Sequence, residues 1–182
     1  MGKAIGMVEY TTIAIGIQAA DTMVKTADVD IIEAQTVCPG KYIALISGEL
    51  SAVKAAVEAS KAKFSSNLID SFVLGNPHED IFPAIYGASD PGDVGALGVL
   101  ETFSAASIIV AADVAAKTAI VKLIELRIAK GMCGKSYMLL TGEVAAVEAA
   151  IEKAKAALKD EATVIGSSVI ARPDRKLWKT IL

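Results

Sequence analysis

One internal repeat constrains the fold of this chain more than any other feature of its sequence. Three matching pairs of segments define it: residues 5–9 (IGMVE) and 97–101 (LGVLE), 92 positions apart; 52–58 (AVKAAVE) and 146–152 (AVEAAIE), 94 apart; 71–74 (SFVL) and 167–170 (SSVI), 96 apart. Offsets that grow in steps of two indicate short loop insertions between two copies of one unit. The sequence therefore predicts two tandem domains, residues 1–90 and 91–182.

Each copy is predicted to form a strand, a helix, two strands, a helix and a strand. In the first copy, runs rich in Ile, Val and Leu with Gly or Pro near their ends predict strands at about residues 4–9, 30–37, 41–47 and 69–74. Apolar residues at helical spacing predict the buried face of the first helix: Ile13, Ile17, Ala20 and Val24. The same spacing in the last helix of the second copy selects Val144, Val147, Ile151, Ala154 and Leu158. Short helical tails are predicted after Pro77 and Pro173, and the whole order predicts an α/β sandwich with helices packed on one sheet.

The composition argues against several classes of function. With Lys+Arg 18 against Asp+Glu 21 and a pI near 5.2, the chain has no electrostatic reason to bind nucleic acid. His78 is the only histidine, so neither a His-rich metal site nor a Ser/His/Asp triad is expected, and we predict no enzyme activity. No uncharged apolar stretch approaches the roughly 18 residues of a membrane span. The N-terminal residues 1–10 do not resemble a signal peptide, so the expected location is the cytoplasm.

Residues 129–136 (AKGMCGKS) approximate a phosphate-binding P-loop, G-x-x-x-x-G-K-S. Ala129 replaces the first glycine, and the segment leads into a predicted strand rather than into the helix that would hold a phosphate at its N-terminus. We therefore predict a tight loop between two strands here, and no nucleotide site.

The repeated motifs carry a family resemblance. These motifs are the (I/L)-G-(M/V)-(V/L)-E opening, the Asp-x-x-x-Lys spacing of Asp21/Lys25 and Asp113/Lys117, the Gly-Lys loops, and the (S/T)-G-E entry to a helix. Over essentially all 182 residues, the chain resembles the tandem-domain shell proteins of bacterial microcompartments. Within that family, the Cys38-Pro-Gly-Lys loop and the Asn76-Pro-His segment resemble the iron-sulfur-carrying type of propanediol-utilisation compartments.

The resemblance implies a fold, an assembly and a location. The fold is a ferredoxin-like α/β sandwich present twice, and three chains form a pseudohexameric tile that joins other shell proteins in a microcompartment shell inside the cytoplasm. The family pattern places one group of residues in the loops around a central pore: Val37, Cys38, Pro39, Gly40, Lys41, Met132, Cys133, Gly134 and Lys135. It places a second group at the edges of the tile: Lys25, Lys117, Asn76 and Arg172, of which Asn76 stands where the second copy has arginine.

Cys38 is the candidate metal ligand that this resemblance selects. One thiol cannot hold an iron-sulfur cluster, but a threefold axis would bring three Cys38 thiolates to one point. A [4Fe-4S] cube has a threefold axis of its own, so three irons would bind cysteine and the fourth a non-protein ligand. We therefore expect one [4Fe-4S] cluster per trimer on the axis, relaying electrons across the shell to or from a lumenal or cytosolic redox enzyme. Cys133 aligns with Pro39 rather than with Cys38, and we expect it not to be a ligand.

Two other readings of the sequence remain. In the first, the chain is a purely structural tile with a metabolite pore, and Cys38 is a small residue beside a strand without a metal. In the second, the chain is a ferredoxin-like module that senses a small molecule, although no ligand motif supports this reading. Visible absorption after anaerobic purification separates the cluster from the first reading, and the mass in solution tests the second.

Overall fold

The computed structural model describes residues 4–158 and 163–182. Residues 1–3, the start of the N-terminal segment compared with signal peptides, lie outside the described residues. The first copy of the repeat contains β1 (Ala4–Tyr10), α1 (Ile13–Thr26), β2 (Val29–Val37), β3 (Lys41–Gly48), α2 (Leu50–Lys63), β4 (Leu68–Leu74) and α3 (Ile81–Ile85). The second contains β5 (Ala96–Thr102), α4 (Ala105–Thr118), β6 (Val121–Arg127), β7 (Ser136–Gly142), α5 (Val144–Ala156), β8 (Val164–Ile170) and α6 (Arg175–Ile181).

The two copies have the same sheet topology. Four antiparallel strands follow the order β2-β3-β1-β4 in the first copy and β6-β7-β5-β8 in the second. The register is also shared, because Met7 in β1 pairs with Leu45 and Phe72, while Val99 in β5 pairs with Leu139 and Ser168. The predicted α/β sandwich, present twice, is confirmed. The predicted strands of the first copy end within one residue of the observed strands, and the short helices after Pro77 and Pro173 are observed as α3 and α6.

The chain divides into two compact units whose boundary does not follow the repeat at every point. The first unit runs to Pro77 and includes residues 104–107 and 129–135 of the second copy. The second unit contains residues 78–103, 108–128 and 136–182. The first turn of α4 and the loop after β6 therefore belong to the first unit. The domain boundary predicted at residue 90 stays a prediction.

The buried face of α1 differs from the predicted one. Its buried residues are Gly16, Ala19, Ala20 and Met23, so Ala20 is confirmed, but Ile13, Ile17 and Val24 are exposed. The reason is the bulk of Tyr42 on β3 beneath the helix. A Cβ atom on Gly16 would lie 2.3 Å from the Cβ atom of Tyr42, so no side chain fits at position 16, where α1 lies against Tyr42.

Helices α5 and α6 bury apolar residues, and for α5 the sequence predicts which ones. In α5 and just beyond it, the buried residues include Val147, Ile151, Ala154 and Leu158, which confirms most of the predicted stripe. Trp178 of α6 packs with Leu97, Ile124 and Leu139 in the second unit. Among the described residues, no helix is both long and apolar enough to cross a membrane.

Candidate functional site

The first unit brings the two predicted loops into direct contact. The backbone N–H of Cys38 donates a hydrogen bond to the Ala129 carbonyl oxygen at 3.0 Å. Gly134 lies against the other loop, because a Cβ atom placed on it would be 3.1 Å from Pro39 Cδ and 3.2 Å from the Cys38 carbonyl oxygen. Gly134 also has φ +86°, a backbone angle that residues other than glycine rarely adopt. The loop that carries Cys38 is therefore supported by the loop that carries Gly134.

Both loops are tight turns. The Gly40 N–H donates to the Val37 carbonyl oxygen at 3.0 Å, and the Lys135 N–H donates to the Met132 carbonyl oxygen at 3.1 Å. The Cys38–Pro39 peptide bond is cis. Cys133 adopts φ 51° without being a glycine, as Ala129 does at φ 57°. Residues 129–135 thus form a turn that leads into β7, as the sequence predicts for this imperfect P-loop.

Lys41 of the first loop is held by a buried carboxylate. Its Nζ lies 2.9 Å from Oε1 of Glu9, whose side chain is fully buried in β1. The other oxygen of the same carboxylate, Oε2, accepts a hydrogen bond from the Ala105 N–H at 2.9 Å. Glu9 therefore joins the Lys41 loop to the first turn of α4, a role that the sequence analysis missed although the repeated Glu9/Glu101 pair was its signal. Lys130 forms a separate ion pair with Glu33 at 2.8 Å.

The thiols are few and differ in exposure. Cys38 is half-buried and Cys133 is exposed, and both are free. Within the described ranges, no group of three or more His, Cys, Asp and Glu side chains could hold a metal ion. Cubane clusters are held by cysteine thiolates, so Cys38 has the right chemistry for one of the ligands, but one chain cannot supply the set. A cluster site would need several copies of this loop.

The residues predicted at the tile edge lie on α1 and α4 and after β4 and β8. Lys25 is exposed and pairs with Asp21 at 2.7 Å, and Lys117 pairs with Asp113 at 2.7 Å. Asp113 is buried, and its Oδ1 also accepts a hydrogen bond from the His78 N–H at 2.8 Å. Two exposed side chains follow the fourth strands at equivalent positions: Asn76 and Arg172. Their role at an edge stays a prediction.

A polar cluster in the second unit was not anticipated from the sequence. The Tyr137 O–H donates to Glu125 Oε2 at 2.6 Å, and Arg127 Nη2 lies 2.5 Å from Glu125 Oε1. Burial, followed by the hydrogen bond to Glu125, raises the pKa of Tyr137 to about 12. These three side chains line a pocket of about 370 Å³ that the C-terminal residues 180–182 also border. The charges of this cluster are balanced, because the Glu125 carboxylate offsets the Arg127 guanidinium.

Comparison with known proteins gives one consistent result. The profile of the BMC domain matches residues 4–77 and again residues 96–173. The bacterial microcompartment shell protein PduT of Citrobacter freundii is 36% identical over 182 residues, which are 100% of this chain and 99% of that protein. The carboxysome shell protein CsoS1 of Parasynechococcus marenigrum is 35% identical over 88 residues, covering 47% of this chain and 85% of the relative.

Two solved structures show the same fold. A microcompartment protein from Desulfitobacterium hafniense DCB superposes with a TM-score of 0.85 at 44% identity, covering 98% of this chain and 99% of that one. The fused permuted hexameric shell protein MSM0275 from the RMM microcompartment superposes with a TM-score of 0.65 at 25% identity, covering 86% of this chain and 81% of that one.

Proposed function

Because this chain belongs to the BMC domain family, with one domain in each copy of its repeat, we propose that it is a structural shell protein of a bacterial microcompartment in the cytoplasm. The observation that carries this proposal is the full-length identity of 36% to a relative named as a microcompartment shell protein. Three chains would supply six domains, which is the number that a pseudohexagonal tile requires. The tile would assemble with other shell proteins, and the relatives give no indication of an enzyme.

We further propose that the loops of residues 37–41 and 132–135 surround the central pore of this tile, and that Cys38 binds a [4Fe-4S] cluster there. Cys38 lies half-buried in a tight turn rather than in the core, which leaves part of the residue open to solvent. Pro39 and Gly134 pack together and would fix the direction of the thiolate. A cluster held by Cys38 would supply one-electron transfer between a donor and an acceptor, which needs no bond formation and no proton. Donor and acceptor would be redox enzymes on the two sides of the shell.

The two cysteines supply the matched variants for a test. After anaerobic reconstitution with iron and sulfide, the wild type should show broad visible absorption and about four irons per trimer. Cys38→Ser should lose this absorption, because a single substitution removes every protein ligand at the axis, whereas Cys133→Ser should keep most of it. Serine is nearly isosteric with cysteine, so the mass in solution should not change in either variant. If only Cys133→Ser loses the absorption, the cluster belongs to the Cys133 loop and the assignment to Cys38 is wrong.

The alternative is a tile whose pore passes metabolites and holds no metal. In this alternative, Cys38 is a small residue beside a strand that binds no metal. A wild-type protein that stays colourless after reconstitution, while retaining the mass of three chains, would support this alternative and reject the cluster.

A further inference from the structure

The pocket of about 370 Å³ in the second unit has one apolar wall and one polar wall. Aliphatic side chains from β6, β7 and the end of α6 form the apolar wall: Ile124, Leu139, Ile181 and Leu182. Ile124 and Leu139 also pack with Trp178, so the core of the unit holds this wall in place. The volume lies within the range of about 300–1,000 Å³ that is usual for small-molecule sites. The pocket is therefore large enough for a small molecule with an apolar part.

The polar wall has one donor group without a partner, on Arg127. Its Nε and Nη2 both donate to Glu125 Oε1, at 3.0 and 2.5 Å. The other carboxylate oxygen, Oε2, accepts from the Tyr137 O–H at 2.6 Å. Both oxygens of Glu125 are thus engaged, while Nη1 of Arg127 has no hydrogen-bond partner in residues 4–158 and 163–182. The Arg127 side chain is about half exposed, so Nη1 is available to a ligand in the pocket.

A second donor without a partner is the hydroxyl group of Ser89, in the segment between α3 and β5. Ser89 lines the pocket, and its Oγ is shielded from solvent without a hydrogen-bond partner in the described part of the chain. Buried hydroxyl groups are ordinarily hydrogen-bonded, because burial removes their water partners. A serine side chain has three staggered rotamers, so this hydroxyl can turn toward a ligand. A bound molecule with an acceptor atom would supply the missing partner.

Two donors at one pocket favour an acceptor oxygen, and the charges around them favour a neutral molecule. Glu125 already balances Arg127, so a carboxylate would bring a second negative charge close to Glu125. An ammonium group would instead face the guanidinium. A carbonyl oxygen has two lone pairs and can accept from both donors. The aliphatic wall favours an alkyl chain attached to that carbonyl group.

We propose that this pocket binds a small neutral carbonyl compound with a short alkyl chain, such as a primary amide or a ketone. The carbonyl oxygen accepts hydrogen bonds from Arg127 Nη1 and Ser89 Oγ, and the alkyl chain lies against the aliphatic wall. The site lies within one unit of one chain, so it requires neither the trimer nor the cluster of the proposed function.

Butanamide is the probe for a first test, and ligand-observed NMR on the full-length protein measures its dissociation constant. The wild type should bind butanamide with a dissociation constant of roughly 1–10 mM, as expected for a molecule of this size. Acetamide, which is two methylene groups shorter, should bind about 10-fold more weakly. Butanoate has nearly the same shape as butanamide but a negative charge, and it should also bind more weakly because it approaches Glu125.

Variants of the two donors test the contacts of the carbonyl oxygen. Ser89→Ala should weaken the binding of butanamide by about 3- to 10-fold, because it removes one hydrogen bond. Arg127→Gln keeps a donor for Glu125 but ends before the position of Nη1, and it should weaken the binding by about 10-fold or more. The matched controls, Ser168→Ala on β8 and Arg175→Gln on α6, change exposed residues outside the pocket and should bind butanamide like the wild type.

Thermal unfolding without ligand tests the state of the Ser89 hydroxyl. Ser89→Ala should unfold at the temperature of the wild type or slightly above it, because it removes a buried group that has no partner. A lower unfolding temperature would mean that the hydroxyl has a partner in the protein, and would overturn its place in the site. The inference is also overturned if the wild type binds no butanamide at millimolar concentrations, if butanoate binds more tightly than butanamide, or if either donor variant binds like its control.

Discussion

Equivalent residues of the two copies have taken different partners. In β6 and β7, Glu125 accepts from Tyr137 and pairs with Arg127. In the first copy, Glu33 and Gln35 occupy the places of Glu125 and Arg127, and Glu33 pairs with Lys130 of the loop after β6. The two copies therefore share a backbone fold, whereas polar side chains at equivalent positions form different contacts in each copy. In the second copy, the contact between Tyr137 and Glu125 can be tested by measuring the pKa of Tyr137.

Tyr137 should titrate at about pH 12, because burial and the hydrogen bond to Glu125 favour its neutral form. Its folded pKa is raised above the unfolded value of about 10, so its contribution to stability is complete below pH 10 and declines as the pH rises to about 12. The near-ultraviolet absorbance of tyrosinate, measured as wild type minus Tyr137→Phe, should show this midpoint. Glu125→Gln should lower the midpoint, since it removes the negative acceptor. A difference curve centred at pH 10 would contradict the assignment.

At the scale of elements, the strands could be predicted closely and the orientation of α1 could not. Short apolar runs bounded by Gly and Pro fix strand ends, because only a few residues in each run can pair. On α1 the larger apolar residues lie on one stripe and the small residues, with Met23, on the next. Hydrophobicity alone predicts that the first stripe is buried. The volume of Tyr42 beneath the helix instead favours burial of the second stripe. A contact between distant residues of this kind has no local signal in the sequence.

In the candidate loops, too, the positions of the turns could be predicted and the contacts between distant residues could not. Their positions between paired strands follow from the repeat, and the sequence predicts the tight turn before β7. The positive φ of Ala129 and Cys133 could not be foreseen, because neither residue is a glycine. The hydrogen bond between the Cys38 N–H and the Ala129 carbonyl oxygen could not be predicted either. It requires the loop after β6 to belong to the first unit, and no local pattern in the sequence indicates this.

Gly16→Ala should destabilise the protein through the contact between α1 and β3. The added Cβ atom would lie within 2.5 Å of the Tyr42 ring, and overpacking of this kind costs about 1–3 kcal/mol. The better helix propensity of alanine returns at most ~1 kcal/mol, so the net free energy of unfolding should fall. Gly166→Ala on β8 is the control, because nothing lies within 4 Å of its Cβ position, and its effect should stay within about 0.5 kcal/mol. Equal urea midpoints for the two variants would contradict this packing account.

At the scale of the whole molecule, the predicted tile edge is best tested at Lys25. Its ion pair with Asp21 is largely exposed, so losing it should change the stability by less than about 0.5 kcal/mol. The pair of Lys117 with Asp113 is different, because Asp113 is buried and Lys117→Ala would leave that carboxylate with one contact fewer. Lys25→Ala thus removes an edge side chain while leaving the fold intact.

Lys25→Ala should leave the trimer unchanged and reduce the extent of the sheets that the tiles form. A lysine has a flexible stem and three donors, which suit packing along a neighbouring tile. Lys54→Ala, which removes an exposed lysine from α2, should leave both properties unchanged. Sedimentation equilibrium reports the trimer, and negative-stain electron microscopy reports the sheets. Sheets of wild-type size in Lys25→Ala would remove this residue from the edge.

The presence of Cys38 in only one of two covalently joined copies also governs stoichiometry. If the two domains were separate chains, a six-membered ring would assemble with every ratio of domains that carry Cys38 and domains that lack it, in proportions set by their synthesis. Fusion holds the ratio at one to one in every ring, whatever the level of expression. Each proposed trimer then has three copies of the Cys38 loop in alternating positions, so that its composition is fixed when the polypeptide is made.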